Sequence, residues 1–262
     1  MSTEGFMIVG CPRSGTTLLQ QKIMTNYRVF TTVETHYFSL LNPISRISKL
    51  LSPRLYLKER ARKRLFNCTS VKLRDIKNDF TYFEKVMEIA SANHGCQAWC
   101  EKTPRHLHFI AEIERNCPNI KFIHILRNGY DVVRSLDKAI SESKNKWVGV
   151  FRKSPTRNEL IDRWNKDLQI SKQYFGKENH YFIVYEDFIH DPNRYLERIF
   201  SGVEVNNNNN TFEIIESSEI WKKNNKKSYV DITKGEIEQE FYSTQFNYES
   251  YEELRIAIDN NK

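Results

Sequence analysis

The chain has 262 residues, of which 39% are hydrophobic and 13% aromatic, enough to build a sizeable core. With 28% charged residues it is neither a disordered chain, a collagen nor a disulfide miniprotein. Forty lysines and arginines against 33 acids leave a net charge of +7, which favours anionic partners without choosing among nucleotides, nucleic acid, acidic acceptors or a membrane surface.

No stretch approaches the roughly 20 apolar residues of a membrane span. The opening MSTEGFMIVG carries neither a basic n-region nor a small-residue cleavage site, so no secretory signal is expected. Cys11, Cys68, Cys96, Cys100 and Cys117 form an odd, scattered set, which argues for a reducing compartment. Cys96 and Cys100 are too far apart for a CxxC pair, and no metal site is expected. The resulting expectation is a cytoplasmic protein without an integral membrane segment.

Short apolar runs alternate with amphipathic stretches, the pattern of βαβ units and a parallel sheet. Phe6 to Val9 reads as a strand that stops at Gly10, and Thr16 to about Met24 as the helix behind it. Val29 to Val33 is the second strand and Ala98 to Cys100 a weaker third. Lys121 to Leu126 and Tyr181 to Tyr185 follow as the fourth and fifth. Pro104 to Arg115, Tyr130 to Ile140 and Thr156 to Phe175 are predicted helices. In the last of these, Ile161, Trp164, Leu168 and Phe175 recur at helical spacing, which assigns Trp164 to the core. Residues of about 36–95 read as a basic helical insertion after the second strand, and 206–210 as a low-complexity asparagine loop. The fold class is therefore α/β, a P-loop-type three-layer fold with a central parallel sheet flanked by helices. One domain spans 1–262.

The first chemical motif is Gly10-Cys11-Pro12-Arg13-Ser14-Gly15-Thr16-Thr17, between a strand and a helix. Its glycines let the backbone curl so that N–H groups converge on one anion, and the helix start adds its positive end. Thr16 and Thr17 add hydroxyl donors. A Walker A loop would carry lysine where Thr16 stands, and a Walker B strand would end in aspartate where Arg127 stands. Phosphate cradling without magnesium chemistry follows. The second motif runs from Arg127 to Ser135 after the fourth strand. Arg127 lies at a strand's carboxyl end, where ligands bind in open α/β sheets, and Ser135 falls about two helical turns later. An arginine and a hydroxyl so placed can clamp a second phosphate.

These motifs resemble those of the sulfotransferase family. Gly10 to Thr17 looks like its 5′-phosphosulfate loop, with Arg13, Ser14, Gly15, Thr16 and Thr17 as donor-binding residues. Arg127 with Ser135 looks like its 3′-phosphate motif. Glu101-Lys102-Thr103-Pro104 resembles its lysine-bearing strand end, and Tyr185-Glu186-Asp187-Phe188 its tyrosine-bearing motif near the adenine. The set covers roughly residues 6–190 in family order. It implies the donor 3′-phosphoadenosine 5′-phosphosulfate, the product adenosine 3′,5′-bisphosphate, and a hydroxyl or amine acceptor. The small-molecule branch carries lysine in the loop and histidine where this chain has Pro104. The closer resemblance is to the tyrosylprotein branch and to bacterial relatives with a Glu-Thr-His motif, here Glu34-Thr35-His36.

That layout makes Glu34 the general base, with Arg13 and Lys102 supplying positive charge to the leaving phosphate. Each has a plainer alternative. Glu34 could cap a helix, Lys102 could be solvated and Tyr185 could be core, while His36 is the back-up base. His106 and His108 read as surface or packing residues. Lys58, Arg60, Arg62, Lys63 and Arg64 read as a solvated helix face, or as an attractor for an acidic acceptor. Lys222, Lys223, Lys226 and Lys227 sit in a late basic segment that such enzymes often bring near the donor. A P-loop kinase is the alternative enzyme. Nucleic acid is not an expected partner, because the aromatics do not interleave with the basic run.

Overall fold

The structure, a computed structural model, describes residues 3–42, 54–142, 155–206 and 246–260. Five parallel strands form one sheet: β1 (Glu4–Gly10), β2 (Val29–Thr31), β3 (Ala98–Lys102), β4 (Lys121–Leu126) and β5 (His180–Val184). Their order is β2-β3-β1-β4-β5. The central β1 reads as a continuous apolar run because it is covered on both faces, as parallel strands in α/β proteins are. Phe6, Met7, Ile8 and Val9 are all fully buried, each stabilising the fold by about 1.5–3 kcal/mol.

Helix α1 (Thr16–Asn26) follows β1. The insertion carries three helices among its described residues, α2 (Tyr37–Leu41), α3 (Arg54–Thr69) and α4 (Asp79–Asn93), the last two joined by an irregular stretch over 70–78. A 3₁₀ helix, Pro104–Phe109, leads into α5 (Ile110–Asn116). Helices α6 (Gly129–Glu142) and α7 (Arg157–Lys172) flank the β4 side, and α8 (Tyr185–Phe188), α9 (Pro192–Ile199) and α10 (Tyr248–Asn260) complete the described elements. Asn78 caps α4, and Thr156 with Glu159 forms a capping box on α7. Among the described residues no helix is long and apolar enough to cross a membrane. The five cysteines are all buried and unpaired.

The register sets the position of the site. Ile8 pairs with Lys102 and Gly10 with Ile125, so β1, β3 and β4 end at one edge of the sheet. The strand order reverses about β1, and the carboxyl ends around such a switch point form a natural crevice. Two predicted strands end earlier than expected. β2 stops at Thr31 rather than Val33, because Gln20 of α1 donates to the Thr31 hydroxyl and, at 2.8 Å, to the Thr32 carbonyl. These bonds draw the chain out of the ladder. β5 stops at Val184, and Tyr185 opens α8.

Trp164 is in the core, 2% exposed and packed among Phe246, Tyr248 and Tyr251. The late lysines Lys222, Lys223, Lys226 and Lys227, and residues 207–210 of the asparagine run, lie outside the described residues.

Candidate active site

The phosphate-type loop leaves β1 through Gly10, where a Cβ would meet the Ile125 carbonyl oxygen at 2.6 Å. Arg13 and Gly15 both take left-handed backbone conformations, with φ of 77° and 96°. Gly15 is required on two grounds. Its φ is strained for a side chain, and a Cβ there would run into the Tyr185 ring. Helix α1 starts at Thr16 with no side-chain cap and no acid in its first turn, which leaves its positive end for an anion. Ser14 and Thr16 are buried, and Thr17 is half-buried.

Arg127 follows β4 and reaches back to this loop. Its Nη1 donates to the Arg13 carbonyl at 3.1 Å, and its guanidinium lies over the Tyr185 ring, 4.3 Å from the centroid. Among the described residues its Nε is buried without a hydrogen-bond partner. From the other side, Arg13 Nε donates to Ser135 Oγ at 3.0 Å. The two motifs, 122 residues apart in sequence at that bond, thus close on each other. Tyr185 is buried as core, and its ring packs against Gly15 beneath the Arg127 guanidinium.

The backbone at Arg127 and Asn128 is braced by residues that sequence reasoning assigned no such part. Trp164 Nε1 donates to the Arg127 carbonyl at 3.0 Å, and Glu186 Oε1 accepts from the Asn128 N–H at 2.9 Å. Tyr251 donates to the other Glu186 oxygen at 2.9 Å, and its phenol pKa is pushed well above the usual range by burial and by that carboxylate. Glu186 stands next to Tyr185 in the quoted motif, which was its one signal.

On the far side of β1, Lys102 Nζ donates to Glu34 Oε1 at 2.6 Å. His36 Nε2 is 3.4 Å from the other Glu34 oxygen. Burial lowers the His36 pKa, the neighbouring carboxylates opposing it. The cap reading of Glu34 is excluded, because α2 begins at Tyr37 with His36 as its N-cap. Lys102 is 5% exposed, so it is not a solvated lysine. The basic run divides by function. Lys58 and Arg62 pair with Asp79, whereas Arg64 donates to the Glu34 carbonyl at 2.7 Å. Arg60 and Lys63 are exposed. The run is therefore only partly a solvated face.

Every predicted site residue lies at the carboxyl edge of the sheet or in the elements that open from it. They fall into two groups. Arg13, Ser14, Gly15, Thr16, Thr17, Arg127, Ser135 and Tyr185 converge around the loop, and Glu34, Lys102 and His36 meet beside it.

A phosphate-type loop on a five-stranded parallel sheet, with an arginine in place of the magnesium-binding aspartate, defines an α/β group-transfer protein of P-loop type. The profile of the sulfotransferase family matches residues 5–207, and the chain belongs to that family. Its activity is accordingly sulfuryl transfer, and the kinase alternative is set aside. Among solved structures it is similar to the sulfotransferase domain from the curacin biosynthetic pathway, at 22% identity over 77% of this chain and 74% of that one, with a TM-score of 0.48. It is similar also to a sulfotransferase from Alicyclobacillus acidocaldarius, at 17% identity over 99% and 93% of the two chains, TM-score 0.46. A mouse sulfotransferase in complex with PAP is a further neighbour, at 15% identity over 84% and 62%, TM-score 0.44. No curated protein matches the sequence.

Proposed function

We propose that this sulfotransferase uses 3′-phosphoadenosine 5′-phosphosulfate as donor and a hydroxyl or amine as acceptor, with Glu34 as general base. The reading is carried by the 2.6 Å contact between Lys102 and Glu34 beside a loop suited to phosphate. The fit of the donor rests on two features: the partnerless buried Nε of Arg127 and the left-handed Gly15 cradle. Ser14, Gly15, Thr16 and Thr17 would hold the 5′-phosphosulfate end, Arg127 and Ser135 the 3′-phosphate, and Tyr185 would support both. When bound, the donor supplies the activated sulfuryl group. Glu34 takes the acceptor's proton as it attacks, through an oxygen that Lys102 leaves available. Lys102 and Arg13 offset the charge that develops on the leaving phosphate. No step calls for a metal.

An acidic acceptor is favoured by Arg60 and Lys63, exposed on the helix whose Arg64 touches the Glu34 backbone. Five unpaired cysteines suit a reducing compartment, and a single domain in the cytoplasm is the proposed setting. The test is incubation of the purified protein with sulfur-labelled donor and a panel of peptide, sugar and lipid hydroxyls. Labelled product from at least one class is expected, and label that stays on the donor across the panel contradicts the reading.

A further inference from the structure

Glu101 is fully buried, yet it faces four hydrogen-bond donors. Its Oε1 accepts from the Thr35 N–H at 3.2 Å, from the Thr35 hydroxyl at 2.8 Å and from the Thr103 hydroxyl. Its Oε2 meets His106 Nδ1 at 3.0 Å. Burial alone would raise its pKa. The hydrogen bonds from His106, Thr103 and Thr35 oppose burial and hold its pKa below the ordinary carboxylate value.

The same partners extend to the backbone on the carboxyl side of Glu34. The His36 N–H donates to Thr103 Oγ1 at 3.2 Å, and the Phe38 N–H donates to His106 Nε2 at 3.3 Å. An N–H can donate there only to a ring lone pair, so the His106 proton sits on Nδ1, facing Glu101. Residues 35, 36 and 38 are thus all anchored, directly or through one side chain, to one carboxylate. His36 is held in a left-handed conformation, φ 53°, that a free loop would not favour. Gln20 fixes Thr31 and Thr32 on the other side. Neighbouring residues of β3 thereby divide the work, with Lys102 holding the Glu34 carboxylate and Glu101 holding the backbone that carries it.

We infer that Glu101 is a positioning residue for the proton acceptor, acting through Thr35, Thr103 and His106. The inference rests on Glu34 being the base. Glu101→Gln keeps the shape but replaces one acceptor with an NH₂. Facing His106, that group creates a donor–donor conflict. A tautomer change only passes the conflict on to the Phe38 N–H. A misplacement on the order of 1 Å can cost up to ~10²-fold in rate.

The experiment measures kcat with labelled donor, the Kd of adenosine 3′,5′-bisphosphate and thermal stability for Glu101→Gln, Thr103→Val, Thr103→Ser and Glu34→Gln. In Glu101→Gln and Thr103→Val, kcat should fall by at least ~10-fold. Their bisphosphate Kd should stay within about twofold, because the hydrogen bonds of this network run to residues 35, 36 and 38 and not to Ser14–Thr17. Thr103→Ser retains the hydroxyl and should keep most of the rate. Nitrogen NMR of the wild type should report the Nδ1–H tautomer at His106. Should Glu101→Gln not fold, Thr103→Val carries the test alone. The inference is overturned by a normal kcat in a folded Glu101→Gln or Thr103→Val, by kcat and bisphosphate affinity falling together, or by an Nε2–H tautomer. A fully active Glu34→Gln overturns the base assignment itself, and this inference with it. An inactive Glu34→Gln beside a normal Glu101→Gln removes this inference alone.

Discussion

The two sides of β1 hold their charges differently. Toward β4, Arg13 is exposed and Arg127 is half-buried, and a hydroxyl, a carbonyl and a ring face are among their partners. Toward β3, Glu101 and Lys102 are buried and engaged by charged or matched partners. Neutral contacts at a wet surface are weak and readily exchanged. Buried ionic groups are costly to disturb once their partners are set. On the proposed donor reading, the β4 side grips and releases a ligand with two phosphate-type groups, and the β3 side holds the reacting group still.

The largest effect that would sharpen this contrast is expected from Glu34→Gln. It should lower transfer by about 10²–10⁴-fold, the usual range for a general base, while leaving bisphosphate affinity nearly intact. An equal loss of binding would erase the distinction between the two sides. Arg127→Met should do the reverse. It removes a charge-assisted partner worth about 1.5–3 kcal/mol, which weakens bisphosphate binding by roughly 10- to 150-fold. At saturating donor, kcat should change little, and steady-state kinetics separates the two terms.

A smaller effect contrasts the buried polar groups of the two sides in acid. His124 on β4 is fully buried, with Nε2 2.9 Å from His180 Nδ1 and Nδ1 3.2 Å from Ser171 Oγ. Burial, then the neighbouring His180, lowers the His124 pKa well below its ordinary value. The unfolded chain takes up this proton below about pH 6.5 and the folded chain does not. Stability is therefore lost as pH falls from that point, by up to ~1.4 kcal/mol per pH unit for one such histidine. Glu101 shifts the other way in its effect on charge. Its contribution is intact above its ordinary value of 4.5 and is lost only as pH falls below that value through its lowered folded-state pKa. Thermal unfolding between pH 7 and 5 should thus be less pH-dependent in His124→Phe than in the wild type. Equal slopes would place the acid sensitivity elsewhere.

Local signals carried most of the fold. Glycine spacing located the phosphate-type loop, and an apolar run interrupted only by His124 located β4 at its observed bounds. Glu34 and Lys102 were expected as site residues through family order, and their contact depends on the β2–β3 register. What escaped were partners set by long-range packing. Glu101 looked like a flank of Lys102, because nothing local shows that Thr35, 66 residues away, folds onto it. His106 was placed by helical spacing alone, whereas a 3₁₀ turn swings it onto Glu101. The early end of β2 was hidden for the same reason, since Gln20 reads as an ordinary helix residue.

The most direct test of the donor assignment is titration calorimetry of adenosine 3′,5′-bisphosphate against ATP, with and without magnesium. The 3′-phosphate should add at least one charge-assisted contact and so bind roughly 10- to 100-fold tighter than ATP, with no need for magnesium. ATP binding more tightly, and only with magnesium present, would contradict the assignment.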